Sequence, residues 1–455
     1  MMSGSGAPGR PRAGLRRRCG KYVAGPRRRA ADKPEFACDD CGRGQRRGDG
    51  EGAEARSHRQ RRDVGADPER FVQFIAQSRL AFSPSSIATP YFPMVPLSEA
   101  QGLRDADSPD GEPAARTFRM TANLITDIAG VRVGSAHDAR LASGVTVVLF
   151  DEPVVASVAL NGGSPALRDV ELLEPEMMVE RVDAFVLSGG SAFGLDAAGG
   201  AMAFLASIGR GFRTRGSRGA LVPIVPSASL FDLSNGGDKA WGRRPPYWEF
   251  GFEAASEALA GPKSFELGTT GAGFGASTYD LKSGLGSASA LTSRGFRVGA
   301  LVVSNSVGRA TRGLTHHFWA APYERAGEFG GRGFGPDEID DALTLRMKGD
   351  EPTNTDLAVV VTDALLTKAQ VKRVAIMAQD GLALALRPAH APGDNDAVFA
   401  ATTGRASAAP DLRDLTEIGM LAAECIARSV ARGVYEATAL EVDGAQPSWR
   451  QLYGQ

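Results

Sequence analysis

The 455-residue chain is short of cysteine, histidine and long apolar runs, and it carries almost no excess of either charge. Each shortage removes a class of protein. Four cysteines cannot staple a disulfide scaffold of this length. Cys38 and Cys41 form a single CxxC, with Cys19 and His58 at irregular spacing around it, so the four ligands of a structural zinc site are not spelled out. Cys425 sits in an apolar helical pattern and reads as packing. The five histidines make no HExxH or HxxxH pair, which argues against a zinc hydrolase. No stretch approaches the roughly 18–20 apolar residues of a membrane span. The runs Arg16–Arg18 and Arg27–Arg29 are followed by no apolar segment of the kind a secretory signal requires. A net charge of −1 provides no global field to attract nucleic acid or a membrane surface. These shortages predict a cytoplasmic globular protein with neither a nucleic-acid nor a membrane partner.

Composition changes near residue 118. Residues 1–70 are rich in Arg and Gly, poor in aliphatics and without helical or strand period, which is the pattern of disorder. The arm 1–118 reads either as a basic tail or as non-native sequence upstream of a true start at Met120. The acids interrupting its arginines favour the second. From Asn123 onward the chain reads as densely folded. Val145–Leu149, Val154–Leu160, Ala184–Leu187 and Val298–Val303 are short runs rich in branched residues and predict strands. Pro175–Val182, Leu195–Ile208, Glu249–Leu259, Thr367–Gly381 and Leu412–Arg432 predict helices. Strands and helices mix without strict alternation, which favours a layered α/β or α+β architecture. Residues 320–353 read as an exposed, Gly-rich connection with one short helix.

Two glycine clusters stand out, LSGGSAFGLDAAGG (187–200) and GTTGAGFGAS (268–277). The second is GxGxG rather than GxGxxG and lacks a following ribose-binding acid, so a dinucleotide site is disfavoured. Sharp turns and close backbone approach account for such glycines, and amides exposed in the turns can line a pocket. No GxSxG elbow occurs around Ser188 or Ser191. The stretch GDEPTNTDLAVVVTDA (349–364) is different in kind. A polar, proline-bearing loop runs into an apolar strand, with Asn354 and Thr355 at the junction. A threonine hydroxyl is a poor nucleophile at neutral pH. A free α-amine on the same residue, of ordinary pKa about 7.7–8.0, can take its proton. That amine exists only if the bond before Thr355 is broken.

Read together, the segments resemble the DmpA-like family of self-processing N-terminal-nucleophile aminopeptidases and amidases. Its members include β-peptidyl aminopeptidases and nylon-oligomer endo-amidases. The matching stretches run in order from ITDIAGVRVGSAHD (125–138) through ELLEPEMMVERVDAFVLSGGSAFGLDAAGG (171–200), VPIVPSASLFDL (222–233), GTTGAGFGASTYDLKSGLGSAS (268–289), ALVVSNSVG (300–308) and NTDLAVVVTDALLTKAQ (354–370) to GDNDAVFAATTG (393–404). The resemblance implies one large α/β domain built as a four-layer αββα sandwich, also like that of the ornithine acetyltransferases. It implies scission between Asn354 and Thr355, an α-subunit of residues 119–354 and a β-subunit of residues 355–455, with Thr355 as nucleophile. The Asn-Thr form looks most like the nylon-oligomer amidase branch. By the same resemblance Lys282 lies beside the nucleophile, Asn305 belongs to the oxyanion hole, and Asp394 and Asp396 support self-cleavage and position the nucleophile. A small peptide or amide substrate, no metal or organic cofactor, and an oligomer of αβ units, plausibly a tetramer, follow from it too. Acyl transfer of the ornithine acetyltransferase type, or a non-catalytic ligand-binding homologue, stands as the alternative. Three positions depart from the family's pattern: Asp356 just after the nucleophile, Gln379 where a His is common, and Phe231 in a region where some members use a Tyr. A carboxylate at Asp356 is expected to raise the amine's proton affinity or to alter self-cleavage.

Overall fold

Most strands of this protein bury both faces, and the alternation of their side chains decides its architecture. The computed structural model describes residues 122–215, 219–348 and 354–454. The readings of the N-terminal arm, with Cys19, Cys38, Cys41, His58 and Met120, lie outside these residues.

In chain order the strands are β1 (Val131–Asp138), β2 (Ser143–Leu160), β3 (Leu167–Arg168), β4 (Arg181–Ser188), β5 (Phe212–Arg213), β6 (Leu221–Val222), β7 (Ser227–Ser229), β8 (Leu285–Leu291), β9 (Arg297–Asn305), β10 (Thr355–Thr362) and β11 (Ala397–Thr402). The helices are α1 (Ala197–Ser207), α2 (Tyr247–Ala260), α3 (Lys368–Ala378), α4 (Asp380–Ala385), α5 (Leu412–Tyr435) and α6 (Trp449–Tyr453). β5 pairs only with β6. The other nine strands form one ladder in the order β3-β7-β4-β2-β11-β10-β9-β8, with β1 also on β2.

Three apolar clusters divide that ladder into layers. In β10, Leu357, Val359 and Val361 enter the central cluster, while Ala358 and Val360 enter a second cluster with α3, α4 and α5. In β4, Phe185 and Leu187 enter the central cluster, while Ala184 and Val186 enter a third with α1 and α2. The order is therefore helices, sheet, sheet, helices, as the four-layer expectation requires. The 18-residue β2 belongs to both sheets. Its first half, Val145 to Leu149, pairs with β1 and β4 and packs toward α1 and α2; its second half pairs with β11. The pairing with β4 shifts register between Leu149 and Val154, and there the strand passes from one layer to the other.

The two predicted runs 145–149 and 154–160 are thus one strand. The helix expected over Pro175–Val182 does not form. The carbonyls of Leu172, Met177 and Val179 turn instead onto the Lys368 ammonium at 2.8, 3.1 and 2.8 Å, and Arg181 already opens β4. The helix predicted to stop at Gly381 gives way instead to α4 at Asp380. Cys425 is fully buried in α5, and burial pushes its thiol up to about 12, which fits packing.

Helix α5 lies close on β8 because Gly286 has no side chain: a Cβ there would stand 1.8 Å from the Ser429 carbonyl. Beside this contact, Arg428 of α5 is buried against Glu328, Nε to Oε1 at 2.5 Å and Nη2 to Oε2 at 3.0 Å. Its remaining donors reach the Ser289 carbonyl and the Asn123 amide oxygen. Removing one partner strands a charge in a low-dielectric site, so Glu328→Ala is expected to destabilise the fold by about 3–5 kcal/mol in urea unfolding. The double variant Glu328→Leu/Arg428→Met, which leaves no charge behind, is expected to lose much less.

Candidate active site

The register of β9 against β10 builds the site. Thr355, the first residue of β10, stands directly opposite Asn305, the last residue of β9. On its other flank β10 runs parallel to β11, and just before the two strands Asn354 bridges to Asp394. Of the residues expected from the sequence, Asn354, Thr355, Asn305, Asp394 and Asp396 are therefore brought together by strand pairing, while Lys282 joins Asn305 on the wall of a cavity.

Thr355 is 3% exposed, and its Oγ1 donates to the carbonyl oxygen of Asn354 at 2.5 Å. The same oxygen accepts the backbone N–H of Asn395 at 3.1 Å. The carbonyl between Asn354 and Thr355 is thus held by two donors in the uncut chain. The Asn354 side chain is buried, and neither of its amide atoms has a hydrogen-bond partner among the described residues.

Asn305 has a fully assigned amide. Its Oδ1 accepts from the Ser277 N–H at 3.1 Å and from Lys348 Nζ at 2.8 Å, and its Nδ2 donates to the Phe231 carbonyl at 2.9 Å. A backbone donor on one side and a backbone acceptor on the other allow only one orientation. Phe231 thus enters the site by its carbonyl. Lys348 was invisible in the sequence, a lone lysine in a charged connection; its ammonium also donates to the Ser277 carbonyl at 2.9 Å. Lys282 is buried, with its ammonium on the carbonyls of Gly273 and Ser283. Burial, reinforced by the nearby Lys348 charge, brings Lys282 down to about 7. Burial also lowers Lys348, to about 8, against the pull of Asp356, Asp232 and Asp394.

Both lysines and Asn305 line a cavity of about 150 Å³, together with Phe231, Asp232 and Gln446. Asp232 is a lone acid in an apolar stretch, and its role surfaced only in three dimensions. It accepts from Ser143 Oγ at 2.6 Å and from the Gly190 N–H at 2.8 Å, and Tyr247 supports Ser143 from behind at 3.2 Å. Gly190 reaches it at φ +84°, where a Cβ would collide with the Tyr247 ring. The glycine clusters thus serve close approach, and the second also walls the cavity through Gly275.

On the other side of Thr355 lie three buried carboxyl groups, Asp356, Asp394 and Asp396. Asp356 Oδ1 accepts from Ser304 Oγ at 2.6 Å, and its backbone N–H donates to Asp396 Oδ1 at 3.2 Å. Burial, then repulsion from Asp396 and Asp394, drives the Asp356 carboxyl well above the usual range. The residue that reads in the sequence as an extra negative charge therefore holds its proton more tightly than an ordinary carboxyl. Burial and Asp396 bring Asp394 up to about 7. Gln379 donates to the Ala159 carbonyl at 2.8 Å and closes the floor of this cluster. Asn395 could have been suspected from its place between two acids in GDNDAVF, but only the parallel pairing of β10 and β11 reveals that its amide meets the Asn354 carbonyl.

The arrangement can polarise a carbonyl, hold a hydroxyl against it and offer a lysine whose free base is populated near neutral pH. Those are the requirements of acyl chemistry on an amide. Comparison with known proteins agrees. The sequence pattern of Peptidase family S58 matches residues 123–446. The uncharacterized aminopeptidase Rv1333 of Mycobacterium tuberculosis is 38% identical over 354 residues, covering 73% of this chain and 98% of that protein. A 6-aminohexanoate-oligomer endohydrolase of Kocuria sp. is 26% identical over 306 residues, covering 64% of this chain and 77% of that protein. Among solved structures, the Burkholderia sp. beta-aminopeptidase matches with a TM-score of 0.52 at 18% identity, covering 73% of this chain and 92% of that one. The L-aminopeptidase D-Ala-esterase/amidase of Ochrobactrum anthropi, a variant of the Ntn-hydrolase fold, matches with a TM-score of 0.50 at 20% identity, covering 70% and 87%. At these identities the two structures establish the fold, while the family match and the mycobacterial relative establish membership: the chain belongs to peptidase family S58 and is a hydrolase of peptide or amide bonds.

Proposed function

We propose that the chain is a precursor that cuts itself between Asn354 and Thr355 and then hydrolyses short peptides or amides through an ester on Thr355. The observation that carries this reading is the Thr355 hydroxyl lying 2.5 Å from the oxygen of the preceding carbonyl, with the Asn395 N–H on the same oxygen. In the first step Oγ1 attacks the Asn354 carbonyl carbon. The hydroxyl proton passes to a base, for which the candidate is Lys282, brought down to about 7 by burial and lining the cavity beside Asn305. The C–N bond breaks, the nitrogen takes up a proton and becomes the α-amine of Thr355, and water hydrolyses the resulting ester to the Asn354 carboxylate. The buried Asn354 amide, without a hydrogen-bond partner among the described residues, makes the uncut state less comfortable, since such groups cost about 1–3 kcal/mol when left unpaired.

In the mature enzyme the Thr355 amine takes the hydroxyl proton, Oγ1 attacks the substrate carbonyl, and the leaving amine departs protonated. Water then releases the acid. Asn305, opposite the nucleophile with its amide facing the cavity wall, supplies electrostatic support to the developing oxyanion. The cavity's polar lining and small volume suit a short acyl group. The names of relatives, aminopeptidase and 6-aminohexanoate-oligomer endohydrolase, point to the same bond class. An assembly of several αβ units belongs to this proposal as well.

On denaturing gels the wild type is expected to yield a fragment of about 11 kDa, in proportion to 47.7 kDa for the whole chain, whose N-terminal sequence begins at Thr355. Thr355→Ala is expected to stay whole and inactive; wild type that stays whole yet hydrolyses amides would sink the scheme. Asn305→Ala is expected to lower kcat by about 10²–10³. The rate of self-cleavage should rise with pH through about 7, because Lys282 is protonated below that value and free above it. In Lys282→Met that limb should flatten and the rate should fall. An unchanged pH profile would remove Lys282 from the step.

A further inference from the structure

The carboxyl cluster beside Thr355 is connected, through one side chain, to a second cavity of about 420 Å³. That side chain is His390. Its ring lines this cavity beside Trp319, Leu345, Leu386 and Arg387. Its Nδ1 lies 2.7 Å from Asp396 Oδ2, and its own backbone N–H donates to the same oxygen at 2.8 Å. The other oxygen of Asp396 takes the N–H of Asp356, the first peptide beyond Thr355. A continuous chain of contacts therefore runs from this cavity to the peptide just beyond Thr355.

Two further facts single out His390. It adopts φ +57°, a left-handed conformation that non-glycine residues take uncommonly and that persists where the surroundings enforce it. Its hydrogen-bond partner is the buried Asp396; Asp394 lies on the same loop, and Asp356 lies behind Asp396 on β10. The Asp396 contact, aided by the Gln379 carbonyl, favours the protonated ring.

We propose that His390 is a positioning residue for the Thr355 chemistry: by donating to Asp396 it fixes the carboxylate that holds the Thr355–Asp356 peptide in place for attack. This inference rests on the reading of Thr355 as nucleophile. His390 touches neither the substrate nor the reacting atoms, and no covalent step passes through it. Because its ring borders an open cavity, removing the ring leaves a space that a small solute can enter from solvent.

Self-cleavage supplies a readout that needs no substrate. Full-length chains are followed by intact-mass measurement as the precursor is consumed. His390→Gly, which suits the left-handed backbone but has no donor, should process about 10- to 100-fold more slowly, the range expected for loss of a charge-assisted hydrogen bond. Added imidazole should restore the rate in a saturable manner, and it should not accelerate the wild type. His390→Asn, which tolerates the same φ and keeps an N–H donor, should process within about threefold of wild type, while His390→Leu should be slow. If the glycine variant does not fold, the Asn and Leu variants decide the matter alone: equal rates overturn the proposal. Wild-type processing by His390→Gly, or a slow rate that imidazole leaves unchanged, overturns it too. Thr355→Ala separates the two claims. If Thr355→Ala is still cut, the nucleophile reading fails; if it stays whole while His390→Gly cuts normally, only the role of His390 fails.

Discussion

Everything in the site depends on how one strand is paired. β10 lies inside the molecule with both faces covered, antiparallel to β9 on one side and parallel to β11 on the other. A shift of one residue would turn Leu357, Val359 and Val361 out of the central cluster and into the layer now filled by Ala358 and Val360. Burial on both faces therefore fixes the register strongly, and the register sets Thr355 opposite Asn305 and Asp356 beside Asp396. A strand start covered on both faces also holds the Thr355 backbone in a fixed geometry.

The polar groups around that strand end fall into two sets with opposite electrostatics. On the cavity side the buried Lys282 and the half-buried Lys348 share space with Asp232 and Asn305, and desolvation weakens their hold on protons. On the far side three buried carboxyls crowd together, and two of them gain proton affinity. Both shifts come first from the same cause, the removal of charge from water. They place groups of both kinds near neutrality, where proton transfer needs the least driving force. Asp356, which in the sequence reads as an added negative charge next to Thr355, is drawn into the carboxyl set, and burial and its neighbours raise its proton affinity.

Much of the scaffold was legible in advance because apolar alternation and helical spacing are local signals. The strands at 145–149, 184–187 and 298–303 and the helices around 197–207, 247–260 and 412–435 lie where the branched runs and the periodic stretches put them. The helix expected at 175–182 was lost to a contact with Lys368, almost two hundred positions away, that no local pattern encodes. β8, with its LGSASAL stretch, escaped notice because small residues carry little strand preference; it is small because α5 packs within touching distance of it.

The sequence by itself determined most of the elements and the family resemblance, and through that resemblance it proposed Thr355, Asn305, Lys282, Asp394 and Asp396 as a set. Only the tertiary structure decided what those groups touch. The contacts of Lys348 with Asn305, of the Asn395 N–H with the Asn354 carbonyl, of Asp232 with the cavity wall and of His390 with Asp396 are encoded in no one stretch of the chain. Their significance arises from the layering of two sheets and from the register between β9, β10 and β11. Long-range packing sets both, and packing depends on the burial of side chains far apart in the chain rather than on any one stretch of it.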